Sequence, residues 1–245
     1  MSFAQRLEKR FSATGNCACL GLDPVLERIP EKKESVSKTL SNFLISILSE
    51  CESQGCLPNC VKPNIAFYSQ YGVEGLLALQ DVLLVCREMK MLVVFDGKRG
   101  DIGRTSQAYA QEAFGVWKAD AATVAPYMGF DSVKPFAEAA RERECGVLVL
   151  CRTSNPTASE FQDLRLENGS KVFEQVTKTI SEWNALAPGT IGAVVGATQP
   201  QELESVAAYF SSQQHPTTLL IPGVILVLYF IPGKVETPVE VETPV

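Results

Sequence analysis

Histidine is nearly missing: the only one in 245 residues is His215. It lies in the polar stretch Ser211-Ser212-Gln213-Gln214-His215-Pro216, whose turn-forming composition reads as a bystander loop. Positive charge is also scarce. A net charge of −6 and a pI near 5.0 give no broad basic field, which argues against nucleic acid or an anionic membrane as partner. No apolar run reaches the length of a membrane span; the longest candidate near the C-terminus, 225–231, has only seven residues. The opening Met1-Ser2-Phe3-Ala4-Gln5-Arg6 lacks the apolar core of a secretory signal, so a cytoplasmic protein is expected. A glycine-rich dinucleotide loop is missing too, since Gly21-Leu22-Asp23-Pro24 does not carry that fingerprint.

Cysteine is present, but not in a pattern that builds a framework. Cys17, Cys19, Cys51, Cys56, Cys60, Cys86, Cys145 and Cys151 fall largely inside apolar runs, where thiols act as small hydrophobes in a reducing compartment. Disulfides are not expected. Cys56 and Cys60 are close in sequence, yet no second close pair follows and His215 is remote, so no metal site is expected. Cys151 beside Arg152 has two readings, a thiol activated by the adjacent charge or an inert thiol in a strand, and the apolar run around it favours the second.

What is abundant is short apolar runs bounded by Gly, Pro or Asn. Seven of them, at 17–23, 60–64, 92–98, 121–126, 146–154, 190–198 and 217–224, read as buried strands, with 225–231 as a candidate eighth. Helical patterns lie between. Val36, Leu40, Phe43, Leu44, Ile47, Leu48 and Cys51 share one face, and Leu76, Leu77, Leu83 and Leu84 suggest the next helix. Tyr109, Phe114 and Trp117 fit a further helical face as core or subunit contacts. Continuous apolar strands alternating with helices predict a parallel sheet covered on its outer face. At this length, a TIM-type (β/α)8 barrel with an altered eighth unit is the best reading, spanning 1–234 as one domain. The acidic, proline-containing repeat at 235–245 reads as a disordered tail.

Polar residues cluster at the C-terminal ends of these runs, where a barrel places its catalytic groups. Asp23 ends the first, Lys62 and Asn64 the second, Asp96 and Lys98 the third, and Ser154 the fifth. Strand residues two apart point the same way, so Asp96 and Lys98 are expected to project together, and a turn at Gly100 can return Asp101 beside them. Alone, Asp-x-Lys-x-x-Asp reads as a solvated charged turn. Its place directly after an apolar strand, with Lys62 ending the strand before, favours a charged site. Unit charges about 4 Å apart interact by about 4 kcal/mol at an effective dielectric near 20, so fixed convergent charges can stabilise a developing carbanion.

Six ordered motifs carry a more specific signal: Leu20-Gly21-Leu22-Asp23-Pro24, Lys62-Pro63-Asn64, Phe95-Asp96-Gly97-Lys98-Arg99-Gly100-Asp101-Ile102 followed by Thr105, Arg152-Thr153-Ser154-Asn155-Pro156, Val195-Gly196-Ala197-Thr198-Gln199-Pro200 and Ile221-Pro222-Gly223-Val224. In this order they resemble the longer bacterial-type branch of the orotidine 5'-monophosphate decarboxylases over roughly residues 1–224. The resemblance implies decarboxylation of orotidine 5'-monophosphate to UMP with no metal and no organic cofactor. It casts Lys98 as proton donor to ring carbon 6, Asp96 as the carboxylate near the departing carboxylate, and Lys62 as the lysine that orients the array and contacts the ribose. It makes Asp23 a ribose ligand, with Asn64 nearby, Ser154 a reader of the pyrimidine ring, and Pro222 part of the substrate site. Asp101 and Thr105 match positions that complete the partner's site, so a homodimer is implied.

The resemblance breaks after Val224. The family continues with a Gln-containing loop and, after its eighth strand, an Arg that grips the substrate phosphate, whereas this chain reads Ile225-Leu226-Val227-Leu228-Tyr229-Phe230-Ile231-Pro232-Gly233-Lys234. Lys234 offers a charge without the fork of an Arg. Two further readings follow: a catalytically impaired barrel that lacks its phosphate grip, and a magnesium-dependent sugar-phosphate decarboxylase sharing the Asp-x-Lys-x-x-Asp string.

Overall fold

Seven of the apolar runs form parallel strands. In the computed structural model, which describes residues 1–215 and 217–223 and the backbone of 227–230, these are β1 (Ala18–Gly21), β2 (Cys60–Lys62), β3 (Leu92–Arg99), β4 (Ala121–Val124), β5 (Gly146–Arg152), β6 (Ile191–Val195) and β7 (Leu219–Ile221). With β8 (Val227–Phe230) they close a barrel in sequence order. Except at β3, which continues to Arg99, the runs extend past the strands at their C-terminal ends.

Helices cover the outside. Among the described residues these are α1 (Phe3–Thr14), α2 (Val36–Ser53), α3 (Ala66–Ser69), α4 (Gly72–Glu88), α5 (Gly103–Ala110), α6 (Phe130–Glu142), α7 (Ser159–Gln162), α8 (Val172–Leu186) and α9 (Pro200–Ser211). The predicted stripe of α2 is present, with Leu40, Leu44 and Leu48 buried, and Ser35 caps the helix by accepting from the Lys38 N–H. In α4 the stripe is rotated from the expected one. Ala78, Leu79, Val82, Leu83 and Cys86 face the strands, while Leu77 and Leu84 point outward. α5 runs on into a π-helical turn, Gln111–Val116, so plain helical spacing does not describe it. Phe114 and Trp117 still reach the core, where Phe114 meets Phe136 edge-on and Trp117 stacks on Phe95.

Two apolar layers result. Inside the barrel, Cys19, Cys60, Leu92, Val94, Ala121, Leu148, Val194 and Leu220 pack together, and Phe3 and Leu7 from α1 plug the N-terminal mouth. The larger layer lies between strands and helices. Every residue of β4 and β6 is buried, as expected for strands covered on both faces.

The eighth position is filled, but with the opposite direction. β8 pairs antiparallel with β7 (Leu219 opposite Phe230, Ile221 opposite Leu228) and with β1 (Ala18 opposite Leu228). Only residues 222–226 connect β7 to β8, and a parallel return needs a crossover of a dozen or more residues. A hairpin is what so short a link permits. Lys234 and the tail at 235–245 lie outside the described residues.

Candidate active site

The charged residues of β2 and β3 meet at the C-terminal rim. Lys62 Nζ stands 3.0 Å from Oδ2 of Asp96, and Lys98 Nζ stands 2.7 and 2.8 Å from Oδ1 and Oδ2. Lys62 and Asp96 are buried, whereas the Lys98 side chain remains about half exposed (47%) toward the open mouth. The main chain fixes this carboxylate: the Asp96 N–H donates to Pro63 O at 3.0 Å and its C=O accepts from Ile65 N at 3.3 Å.

Asp96 and Lys98 do share a side, but simple strand alternation is not the whole cause. Between Phe95 and Arg99 the register with β4 slips, and Lys98 takes φ 45°, a left-handed conformation. Such a bulge re-aims a side chain at a strand end. Gly97 is required there, because a Cβ would stand 2.7 Å from the Phe95 ring.

Opposing electrostatic effects act on the pair. Burial pushes the Asp96 carboxyl upward, but the Lys62 and Lys98 ammonium groups outweigh it and hold the group below the ordinary aspartate value. Burial likewise pulls Lys62 down, and the charges of Asp96 and then Asp23 overcome it, leaving Lys62 above the usual lysine value. Both groups are therefore ionised at neutral pH.

Asp23 and Asn64 join the same side of the rim. Asp23 Oδ1 accepts the Asn64 N–H at 3.0 Å, and Asn64 Oδ1 in turn accepts from Ala66 N at 3.0 Å. Thr123, which the sequence reading passed over, completes this half. Its hydroxyl donates to Asp96 Oδ1 at 2.8 Å and accepts the Lys98 N–H at 2.9 Å. The available signal was one hydroxyl inside an otherwise aliphatic strand.

Ser154 and Pro222 form the other half, with the loops after β6 and β7. A Cβ on Gly196 would stand 2.9 Å from that of Ser154, and Ala197 N donates to Pro222 O at 2.8 Å. Arg152, quoted above only as part of a motif, braces this side. Its buried guanidinium pairs with Glu202, donates to Gln162 Oε1 at 3.2 Å and lies 5.4 Å over the Phe173 ring. Gln162 then holds the Thr153 N–H at 2.9 Å, which anchors the loop carrying Ser154.

Asp101 and Thr105 are not brought to the lysines. Asp101 Oδ1 accepts from Ile102 N at 2.8 Å, Thr105 is exposed on α5, and no hydrogen bond or ion pair among the described residues joins either to Lys62, Asp96 or Lys98. Among the described residues no three His, Cys, Asp or Glu side chains gather to hold a metal ion. His215 remains in its loop, partly exposed.

The sequence between residues 19 and 226 matches the family described as "Orotidine 5'-phosphate decarboxylase / HUMPS family". The chain belongs to this family. Curated members agree with the match. Orotidine 5'-phosphate decarboxylase of Rhodopirellula baltica is 36% identical over 244 residues, covering 91% of this chain and 78% of that protein. The enzyme of the same name from Herpetosiphon aurantiacus is 38% identical over 224 residues, covering 91% and 79%. Among solved structures, the putative orotidine-monophosphate-decarboxylase of Toxoplasma gondii is similar with a TM-score of 0.81 and 31% identity, covering 91% and 78%. The OMP decarboxylase of Leishmania donovani gives 0.74 and 33%, covering 91% and 80%. Family membership and the barrel thus rest on likeness of sequence and of shape.

Proposed function

We propose that this chain decarboxylates orotidine 5'-monophosphate to UMP and carbon dioxide at the rim built by Lys62, Asp96 and Lys98, with no metal or organic cofactor. The observation that carries the reading is the alternation of charge along Lys62–Asp96–Lys98, with contacts of 3.0 and 2.7 Å in a largely buried setting. Charges fixed before reaction need no reorganisation when negative charge develops on the ring. As the bond from ring carbon 6 to the carboxylate breaks, its electron pair stays on carbon 6 and carbon dioxide leaves. The Lys98 ammonium then gives its proton to that carbon. Asp96, an anion beside the departing carboxylate, disfavours the ground state and holds Lys98 in place, while Lys62 orients Asp96.

In this reading Asp23 and Asn64 hold the ribose, Ser154 reads the pyrimidine, and Pro222 lines the substrate. A homodimer completes each site with Asp101 and Thr105 of the other subunit. Support for the dimer comes from the detachment of both residues from their own lysines, and from exposed Ile102, Tyr127 and Met128, with Met128 lying against Gly100. Among the described residues no helix is long and apolar enough to cross a membrane. A cytoplasmic location and a partnership with a small nucleotide, not with nucleic acid, belong to the same reading.

One observation favours slow turnover. Because β8 is antiparallel, Phe230 ends beside Leu219, at the face of the barrel opposite the charged rim. Phosphate binding after the seventh and eighth strands of a barrel depends on residues at the catalytic face. Incubation with orotidine 5'-monophosphate, with UMP resolved chromatographically, tests the reading. UMP formation by the wild type and none by Lys98→Ala is expected; product formed equally by both overturns it.

A further inference from the structure

Thr123 is the hydroxyl residue of β4, flanked by Ala121, Ala122 and Val124, and it is buried to 2% exposure. Aliphatic packing alone asks for no hydroxyl at this place. The register slip between Phe95 and Arg99 interrupts the ladder from β3 to β4, and the Lys98 N–H donates instead to Thr123 Oγ1 at 2.9 Å. The same oxygen donates its proton to Asp96 Oδ1 at 2.8 Å. One atom thus holds the main chain of one charged residue and the side chain of the other. Lys98 keeps φ 45° where a lysine is strained, and such strain persists only where neighbouring bonds over-determine it. Thr123 supplies one of these bonds, and the next is Ala125 N to Arg99 O at 2.8 Å.

We propose that Thr123 is a positioning residue for the decarboxylation: through its single hydroxyl it sets where the Lys98 ammonium stands against the Asp96 carboxylate. The proposal rests on the decarboxylase reading above. A hydroxyl both donates and accepts, so serine can replace threonine in this role and the near-isosteric valine cannot. Without the hydroxyl the Lys98 N–H loses its acceptor, the bulge relaxes, and the ammonium moves away from the reacting carbon. Misplacement by about 1 Å lowers a rate by about 10²-fold. The charged groups facing Asp96 are Lys62 from β2 and Lys98 from β3, with Asp23 of the loop after β1 acting on Lys62. Loss of the Thr123 donor removes one bond that favours the ionised carboxylate, so Asp96 takes up a proton more readily.

The test compares the full-length wild type, Thr123→Val and Thr123→Ser in turnover of orotidine 5'-monophosphate across the acid range. For Thr123→Val, kcat falls about 10- to 100-fold with KM within about threefold, and the acid limb of kcat/KM moves to higher pH. Thr123→Ser restores most of the rate and the wild-type pH limb. A wild-type kcat and pH limb in Thr123→Val overturns the proposal, as does a loss confined to KM or a serine variant as impaired as valine. Should valine fail to give folded protein by circular dichroism, Thr123→Ala beside Thr123→Ser makes the same comparison. A wild type with no turnover overturns the decarboxylase reading and this proposal together. An active wild type with an indifferent Thr123→Val overturns the proposal alone.

Discussion

Lys62 and Lys98 put their ammonium groups on one carboxylate: Asp96 Oδ2 lies 3.0 Å from the first and 2.8 Å from the second, with Oδ1 at 2.7 Å from the second. A buried anion shared by two cations is a stability element as well as the centre of the proposed catalysis. Asp96→Asn leaves the buried Lys62 charge unpaired. The expected loss is about 3 kcal/mol, at the low end for a broken buried pair because water screens the half-exposed Lys98. The pH dependence follows from the directions of the shifts. Asp96 is depressed in the folded state, so its contribution is present above the ordinary aspartate value of about 3.9 and is lost as pH falls through the folded value. Lys62 is raised, so its contribution is present below about 10.4 and is lost as pH rises through its higher folded value. Urea unfolding of wild type and Asp96→Asn should give a constant stability difference between these limits that shrinks in acid. A difference that grows on acidification contradicts the assignment.

Asp101 makes its hydrogen bond to Ile102 N and none to Lys98. If its catalytic partner is the other subunit, Lys98→Ala and Asp101→Ala are each inactive alone. Mixed after unfolding and refolding together, they regain about a quarter of wild-type activity, because half the dimers are hybrids and each hybrid holds one intact site. Failure to complement, with hybrid dimers shown by native mass spectrometry, removes Asp101 from the partner's site.

Residues 225–245 contain no Gln and no Arg, the residue types to which the resemblance assigns the phosphate grip. Binding energy from a remote phosphate ordinarily raises kcat/KM strongly. Here orotidine 5'-monophosphate and orotidine, which lacks the phosphate, should differ in kcat/KM by only about tenfold, the size of a contact worth about 1.4 kcal/mol. Discrimination of 10⁴-fold or more, on the order of 5.5 kcal/mol, would place an effective phosphate grip elsewhere in the chain.

Cys151 illustrates how burial separates two readings of one residue. Burial pushes its thiol up to about 12, against the opposing pull of Thr177 and Arg152, and Sγ lies 3.1 Å from Thr177 Oγ1. Activation by the adjacent arginine is therefore overruled, since Arg152 spends its charge on Glu202 and Asp163. An alkylating reagent near pH 8, followed by peptide mass spectrometry, should label exposed Cys56 and spare Cys151 until the chain is unfolded. Labelling of Cys151 in the native protein contradicts the burial.

The strands were legible because a covered parallel sheet needs unbroken apolar runs, and polar residues near the C-terminal ends of several runs marked the rim: Asp23, Lys62, Asp96 and Ser154. What periodicity does not encode is where an interrupted ladder turns a side chain. Lys98 shares a side with Asp96 through a left-handed residue and a slipped register, features local to the Gly97 bulge. Thr123 was hidden for the opposite reason, since a threonine suits any buried strand. The rotated stripe of α4 escaped because its apolar residues together, Val73, Ala78, Val82, Val85 and Cys86 with the leucines, surround nearly the whole helix, so composition did not choose the inner face. The direction of β8 was open to reasoning from loop length alone, as 222–226 is too short for a crossover.

Chelator-treated protein offers the most direct measurement. In buffer containing EDTA, the absorbance of orotidine 5'-monophosphate should fall with wild-type enzyme at the same rate as without chelator, and should stay level with Lys98→Ala, a loss of about 10²- to 10⁴-fold or more. Activity that vanishes with EDTA and returns with magnesium, or that survives in Lys98→Ala, contradicts metal-free decarboxylation at the site built on Lys62, Asp96 and Lys98.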